Sequence, residues 1–141
     1  MVMRLARRLV LVVAAVGIVL AAGACSPEEE TAFRSVNTLR DAHDLRWLDW
    51  NEGAYAKAVA WSEHMADEGR LSHSNLRDGV PPGWRVLGEN VAYAGSVEQA
   101  MAALEASPPH RANLLNPQFT SIAIGVVERD GLVWVTEVFI G

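Results

Sequence analysis

The fold is organised around three short strings, which are Leu71-Ser72-His73-Ser74-Asn75, Gly88-Glu89-Asn90-Val91-Ala92 and Ser107-Pro108-Pro109-His110-Arg111-Ala112-Asn113-Leu114-Leu115-Asn116-Pro117. Helix-like segments come before the first string, and strand-like segments come after the last. The strings contribute two histidines and a glutamate, which are His73, Glu89 and His110. We therefore interpret the strings as the candidate functional site and the rest of the chain as its frame.

Two amphipathic helices are predicted ahead of the first string. In residues 32–45, apolar residues recur at three- and four-residue spacing, which is the period of a helix with one buried face. A second apolar stripe runs through residues 52–69. Asn51 is a suitable N-cap for this second helix, and Gly69 is a suitable end.

The strings themselves are predicted to lie in a loop and in short helices. Residues 71–87 contain several proline and glycine turn signals and are expected to form a loop. Residues 97–106 form an alanine-rich helix. Ser107 followed by Pro108 is a strong helix-start signal, and this fourth helix is expected to end near Leu115.

Two apolar runs close the chain. Residues 119–128 and 132–140 are rich in β-branched and aromatic side chains, and Asp130-Gly131 between them is typical of a hairpin turn. The order of helices followed by strands favours a single α+β domain in which helices cover an antiparallel sheet.

Two histidines and a carboxylate are suited to a divalent metal such as zinc, which binds imidazole nitrogen and carboxylate oxygen. The same groups are suited to general acid/base chemistry. His110 would be the third residue of its helix, where the positive end of the helix dipole disfavours imidazolium and so favours the neutral ring that a metal needs. A plain structural interpretation stays open, in which His73 hydrogen-bonds the backbone, the amides of Asn75 and Asn90 tie down the loop, and Ser107 acts only as an N-cap.

The other two histidines are expected to be solvated. His43 and His64 fall in the two predicted helices, and nothing near them in the sequence supplies a second ligand. We interpret both as surface residues.

Residues 1–25 have the pattern of an export signal. Three arginines precede an apolar run over residues 9–22, which is shorter than the roughly 20 residues that a membrane-spanning helix needs. Gly23-Ala24-Cys25 resembles the lipobox of bacterial lipoproteins, in which the cysteine is lipidated and becomes the new N-terminus. We expect a lipoprotein anchored through Cys25 to the outer face of the cell membrane. Secretion without an anchor and an uncleaved anchor are the alternatives.

The acidic residues 26–31 are expected to form a short tether between the lipid and a domain spanning residues 32–141. All 17 acidic residues follow Cys25, whereas three of the 12 basic residues precede it. Such a negative surface repels phosphate backbones, so we expect no nucleic-acid partner. Cys25 is the only cysteine, which excludes an intramolecular disulfide and leaves the fold to be held by burial.

The strings resemble those of the CAP superfamily, also called the SCP domain, which includes cysteine-rich secretory proteins, antigen 5 and plant pathogenesis-related 1 proteins. The short bacterial form is the nearest in character. The resemblance covers about residues 33–141. It includes, in the family's order, Asn37-Thr38-Leu39-Arg40, Trp61-Ser62-Glu63-His64-Met65-Ala66, the three strings, Ile124-Gly125-Val126 and Trp134-Val135-Thr136-Glu137-Val138-Phe139.

The resemblance implies a CAP-type α-β-α sandwich with a central antiparallel sheet. The cleft of the family usually holds two histidines and two glutamates. His73 matches the first histidine, Glu89 the first glutamate and His110 the second histidine, while Ser107 stands in place of the second glutamate. The implied metal set is therefore His73, Glu89 and His110, with Asn90 and Ser107 lining the cleft. Glu137 stands where the family usually has glutamine.

Three functions follow from this set of residues. The leading one is a cell-envelope binding module for a small or lipidic ligand, with or without zinc or another divalent metal, because lipid binding is claimed for several relatives whereas enzymatic activity is not established. The second is a hydrolase with His73 or His110 as base and Glu89 orienting it. Ser107 is disfavoured as its nucleophile, because a capping serine directs its oxygen at backbone amides and the chain lacks a Gly-x-Ser-x-Gly elbow. The third is a structural or interaction protein with no small-molecule ligand.

Overall fold

The computed structural model describes residues 25–141, so the predicted leader, apart from Cys25, lies outside the described residues. The described elements are α1 (Pro27–Asp41), β1 (Asp49–Trp50), α2 (Glu52–Glu68), β2 (Leu87–Ala94), α3 (Val97–Ala106), α4 (Pro108–Leu114), β3 (Ser121–Arg129) and β4 (Leu132–Ile140). In this part of the chain no helix has both the length and the apolar character to cross a membrane.

The four strands of the described chain form one sheet in the order β1-β3-β4-β2. β4 pairs antiparallel with both β3 and β2, and the two-residue β1 runs parallel to β3. Helix α2 packs on one face of the sheet, and α1 and α3 pack on the other. The expected α+β class, an α-β-α sandwich around a central and mainly antiparallel sheet, is confirmed.

The contact between α2 and the sheet is unusually close. A Cβ atom on Gly125 of β3 would lie 2.3 Å from the backbone carbon of Ala58. Ser62 Oγ, also on α2, donates to the carbonyl oxygen of Gly125 at 2.9 Å. The small side chains on both elements therefore allow the backbones of α2 and β3 to approach closely, and the Ser62 hydroxyl bonds the two elements together at this face.

Helix α1 begins earlier than predicted, and residues 26–31 are its cap and first turn, not a tether. Ser26 Oγ accepts from the backbone N–H of Glu29 at 3.2 Å, and the Glu29 carboxylate accepts from the backbone N–H of Ser26 at 2.8 Å. This reciprocal capping box satisfies two free amides at the helix start. Acidic side chains there also interact favourably with the positive end of the helix dipole.

Glu29 is also a buried contact between layers. It is 2% exposed, and Tyr55 Oη of α2 donates to it at 3.0 Å. The backbone N–H of Val126 donates to it at 3.4 Å. Burial, and secondly Glu29, raise the pKa of Tyr55 to about 12, so the phenol stays protonated as the donor. The acidic start of α1 therefore holds all three layers together.

Arg40, a charged residue of α1, lies in the interior, where charged side chains are rarely found. It is fully buried, and its Nε donates to the carbonyl of Arg46 at 3.0 Å. One terminal nitrogen donates to the carbonyls of Leu114 at 2.9 Å and Asn116 at 3.0 Å. The guanidinium therefore joins the end of α1 to the end of α4, where a positive charge complements the helix dipole.

The remaining predictions fit more closely. Helix α3 has its predicted bounds, α4 ends one residue before the predicted Leu115, and the segment before β2 is a loop. Asn51 Oδ1 caps α2, and Gly69 ends it with a φ of 61°. Asp130 and Gly131 form the two-residue hairpin turn with φ values of 53° and 75°. Strand β2, which carries the second string, was not predicted from its pattern.

Candidate functional site

Strand β2 separates the predicted site residues between the two faces of the sheet, because successive side chains of a strand point in opposite directions. Glu89 points to the side of the loop that carries His73. Asn90 points to the other side, where its Nδ2 donates to the carbonyl of His110 at 3.2 Å. The site therefore has two halves that meet at this strand.

The first half is a hydrogen-bonded cage around the Glu89 carboxylate. His73 Nδ1 lies 2.8 Å from Glu89 Oε1, which also accepts from the backbone N–H of Ser74 at 2.9 Å. Ser74 Oγ donates to Glu89 Oε2. Lys57 Nζ, from α2, donates to Ser74 Oγ at 2.9 Å and to the Asn75 carbonyl at 2.8 Å. The carboxylate is thus fully engaged in fixing the loop.

Exposure differs sharply across this cage. The side chain of Glu89 is 3% exposed, whereas that of His73 is 63% exposed. Lys57 was not a candidate from the sequence, since a lysine on a helix surface has no distinguishing pattern. The contacts of Lys57 with Ser74 and Asn75 restrain this loop. They agree in part with the structural interpretation, in which the polar residues of the string hold the loop in place.

The second half pairs His110 with Ser107. The hydroxyl of Ser107 lies 2.7 Å from His110 Nδ1 and makes no capping bond to a backbone amide. The prediction that this side chain acts as an N-cap is therefore wrong, although Ser107 occupies the cap position and its carbonyl accepts from Arg111 N–H at 2.8 Å. Pro109 stands at a position whose amide a cap would normally bind, and proline has no N–H to offer.

Burial is the main cause that lowers the pKa of His110, and the nearby charge of His73 lowers it further. The shift favours the neutral imidazole, and its causes are burial and His73, not the helix position on which the expectation from sequence rested. A neutral ring has one nitrogen that donates and one that accepts, so it can bind either kind of ligand atom or act as a base.

A buried amide network lies beneath the two halves. Asn90 Nδ2 donates to Glu137 Oε2 at 3.0 Å, and Asn113 Nδ2 donates to Asn90 Oδ1 at 2.9 Å. Glu137 is completely buried, its Oε1 has no hydrogen-bond partner in residues 25–141, and burial raises its pKa to about 7. The network links a titratable carboxyl group to the backbone of His110.

An apolar pocket opens beside His110. Its volume is about 180 Å³, and its walls include Leu71, Tyr93, Ala103, Leu104, Ser107 and His110. Leu71 and Tyr93 are 40% and 49% exposed. Mainly carbon walls with a pair of polar groups at one side are typical of small-ligand sites, whereas the volume is below their usual range of about 300–1,000 Å³ and suits one group of a ligand.

The predicted metal ligands do not converge as a set. Within residues 25–141, no three His, Cys, Asp or Glu side chains are grouped closely enough to hold a metal ion. Glu89 uses its oxygens for His73 and Ser74, and His110 is paired with Ser107. The donor set in this arrangement does not fit a zinc centre. His43 and His64 are both exposed, as expected.

The whole domain matches one protein family. A sequence model of the cysteine-rich secretory protein family, CAP, matches residues 33–139. The chain belongs to the CAP family. Its CAP domain thus contains both halves of the site, the network beneath them and the pocket.

Two relatives of this CAP domain are longer proteins. YkwD of Bacillus subtilis (strain 168) is 32% identical over 125 residues, which cover 82% of this chain and 48% of YkwD. An extracellular SCP-domain protein of Bacillus anthracis str. Ames has a solved structure with a TM-score of 0.71 and 28% identity, covering 84% of this chain and 45% of that one. The chain therefore spans about half the length of these relatives.

A more distant CAP structure contains metal. NaASP2, solved with Zn²⁺, is similar with a TM-score of 0.58 and 13% identity, covering 81% of this chain and 80% of that one. At this identity the similarity shows the shared fold.

Proposed function

We propose that this CAP domain is an exported binding module of the cell envelope, whose pocket beside His110 takes an apolar group of a small or lipidic ligand. The observation that carries this proposal is the 180 Å³ pocket with Ser107 and His110 at one side and apolar walls elsewhere. The apolar group gains free energy by leaving water, and a polar atom of the ligand can bind the neutral imidazole.

Export and anchoring are part of the same proposal. The leader pattern and the lipobox-like Cys25 support attachment to the outer face of the cell membrane. The Bacillus anthracis relative is an extracellular protein, which agrees with an exported domain. Replacement Cys25→Ser should release the protein from membranes, and continued retention in that variant would favour an uncleaved anchor.

Ligand binding is tested with decanoate in an isothermal titration. Ala103→Trp places a large ring at the mouth of the pocket and should weaken binding by about tenfold or more. Ala102→Trp is the matched control, because Ala102 is the preceding residue of α3, is also exposed and does not line the pocket. Equal decanoate affinity in both variants, or no saturable binding in the parent protein, would exclude the pocket as the site.

Zinc is tested separately, because Glu89 would have to give up hydrogen bonds before it could join His73 and His110 as a ligand. A titration that shows one-to-one zinc binding, abolished by both His73→Ala and His110→Ala, would establish such a rearrangement. The hydrogen-bonded arrangement described above favours the absence of saturable binding.

A hydrolase is the second candidate, and the contact between Ser107 Oγ and His110 Nδ1 favours it over the expectation from sequence. The distance of 2.7 Å is that of a nucleophile and its base. Glu89 bonds to His73 and not to His110, so the predicted role of Glu89 in orienting His110 is not supported.

In this candidate mechanism Ser107 Oγ attacks the carbonyl carbon of an ester and transfers its proton to His110 Nδ1. The bond to the leaving oxygen breaks, and the imidazolium returns the proton to it. Water then attacks the acyl-serine with His110 as base, which releases the acid and restores the hydroxyl.

The substrate for the test is p-nitrophenyl butyrate. Turnover that Ser107→Ala and His110→Gln both abolish, with Ser72→Ala unchanged, would establish the hydrolase. Turnover that persists in Ser107→Ala would exclude this nucleophile, and turnover that Glu89→Gln leaves intact would exclude a catalytic Glu89.

A further inference from the structure

Strand β2 is the outermost strand of the sheet on the side of the candidate site. It pairs with β4 along one side only. Among residues 25–141, no strand pairs with its other side, which we call the open edge of β2. An unpaired edge presents a row of backbone N–H and C=O groups that another chain can bind.

The register shows which residues face this open edge. Val86 and Gly141 exchange both backbone hydrogen bonds, at 3.1 Å and 3.0 Å. In an antiparallel ladder the bonded pairs alternate, so the even-numbered residues of β2 bond to β4 and the odd-numbered ones direct their N–H and C=O outward. The outward residues in the strand are Leu87, Glu89, Val91 and Tyr93.

A side chain already occupies part of the open edge. Asn113 Nδ2 reaches the carbonyl of Glu89 from outside at 3.3 Å, which agrees with the deduced direction. Outside the ladder with β4, the backbone groups of Val91 and Tyr93 make no hydrogen bond within the described chain. They leave two donors and two acceptors, repeated at the two-residue spacing of about 7 Å along a strand.

Two cavities border this free stretch, and the one beside His110 has mainly apolar walls. The 180 Å³ pocket lies on one side of Tyr93, and a second cavity of about 260 Å³, lined by Gly69, Arg129 and Trp134 among others, lies on its other side. Tyr93 stacks on the buried Trp134 with ring centroids 4.9 Å apart, which holds its ring in place. Val91 is 6% exposed and is one of the residues that line the pocket beside His110.

We propose that the open edge of β2 binds an extended peptide, which adds to the sheet as a further strand. Its backbone pairs with Val91 and Tyr93, and one of its side chains enters the pocket beside Leu104 and His110. This deepens the proposed function by naming the ligand class, and it rests on that function for the role of the pocket. We choose a peptide because the N–H and C=O groups of Val91 and Tyr93 alternate along the edge, and a peptide backbone offers acceptors and donors in the same alternation. An acyl chain has no such groups.

The test follows backbone amides by hydrogen exchange in NMR, using the chain that begins at Ser26 and so retains the α1 cap and every residue of the core clusters. The probe is a capped heptapeptide in which threonine alternates with valine and leucine. The expected result is that exchange at the Val91 and Tyr93 amides slows by at least about tenfold with saturating peptide, as for amides that enter a ladder. A matched heptapeptide with N-methyl groups on alternate residues should not bind.

Two protein variants separate the backbone from the ring. Tyr93→Pro removes the outward N–H without removing a bond to β4, and should abolish binding. Tyr93→Thr removes the ring but keeps the N–H, and should weaken binding less than Tyr93→Pro while the bound peptide still protects Val91. Thermal melts confirm that both variants fold.

Several results would overturn the proposal. These are equal binding of the N-methylated peptide, binding without protection of Val91 and Tyr93, and no binding of the parent peptide up to about 1 mM, the weak end of specific affinity. Protection that rises with protein concentration in the absence of peptide would instead show that two copies pair their edges. Decanoate binding that Ala103→Trp abolishes, together with any of these results, would leave the proposed pocket function standing without the peptide.

Discussion

Glu137 is a fully buried carboxyl group that accepts a single hydrogen bond within residues 25–141, and this burial defines its behaviour with pH. Burial raises its pKa to about 7 from an ordinary 4.5, so the folded protein binds its proton more tightly than the unfolded chain does. Its contribution to stability is complete below pH 4.5 and is lost as the pH rises through 7. The loss is on the order of 3 kcal/mol for such a shift.

We predict that Glu137→Gln raises the free energy of unfolding above pH 7 and flattens its decline between pH 4.5 and 7. The amide keeps an oxygen for Asn90 but has no charge to bury. Urea denaturation at a series of pH values measures this. Glu128→Gln, at an exposed position of β3, is the control and should keep the parent slope. A parent slope in Glu137→Gln would assign the titration to another group.

Ser107 and Glu89 show which side-chain pairings of the candidate site could be predicted from the sequence. The resemblance put His73, Glu89 and His110 in one cleft, and the structure does bring His73 to Glu89. The pairing of His110 with Ser107 could not be predicted, because the helix-start signal of Ser-Pro is the same whether the hydroxyl caps the helix or turns to a ring.

At the level of elements, the stability of α1 depends on Glu29, which lies in an acidic turn that the sequence suggests is solvated. Glu29 accepts hydrogen bonds from the backbone N–H of Ser26, the hydroxyl of Tyr55 and the backbone N–H of Val126. We predict that Glu29→Ala lowers the free energy of unfolding by about 2–3 kcal/mol, since it leaves buried donors unsatisfied.

The control for this change is Glu28→Ala, an exposed neighbour in the same turn, which should cost only a few tenths of a kcal/mol. A chain that begins at Ala32, the boundary expected from sequence, should be destabilised more than Glu29→Ala. Equal thermal stability of chains beginning at Ser26 and Ala32 would contradict the role given to the cap.

The contact of α2 with β3 gives a second element-scale prediction. Gly125→Ala would force the helix away from the sheet, because the added carbon meets backbone atoms of α2 at 2.3 Å. We expect a loss of about 3 kcal/mol or more, and a fall in urea midpoint. Gly95→Ala is the control, since its added carbon meets only the mobile end of Gln99 at 3.1 Å.

Elements with strong local signals were predictable, and those set by tertiary contacts were not. Helix α3 and the Asp130-Gly131 hairpin carry their own cap and turn residues. Strand β2 was missed because Gly88-Glu89-Asn90, which includes two polar residues of the candidate site, interrupts its apolar alternation. Recognition of that strand would have placed Glu89 and Asn90 on opposite faces of the sheet.

On the scale of the whole molecule, Arg40 connects segments that are distant in sequence. It serves the carbonyls of Arg46, Leu114 and Asn116 at once, which a single ammonium cannot do with the same geometry. We predict that Arg40→Lys lowers the free energy of unfolding by about 2–3 kcal/mol. Arg34→Lys, at an exposed ion pair on the same helix, should change it by less than about 0.5 kcal/mol. Similar urea midpoints for the two variants would show that this connection is not needed.

Charged side chains are normally solvated, so nothing in the sequence marks Arg40 as a buried residue. Its burial depends on carbonyls at the end of α4, more than 70 residues away. The layer order was nevertheless predictable, since the family resemblance and the order of helices before strands agree.

With a lipid on Cys25, the early start of α1 would also set how far the domain can travel. A lipid on Cys25, as proposed above, would leave no spacer before Ser26, the helix cap. A long linker would spread the domain through a wide volume and dilute its encounters, whereas so short a connection confines it to a thin layer over the membrane. Pro27 and Val97 line one cavity, and α3 runs from there for about 15 Å to the pocket beside His110. The anchor would then fix the distance of the domain from the membrane, and would restrict its diffusion toward partners from three dimensions to two.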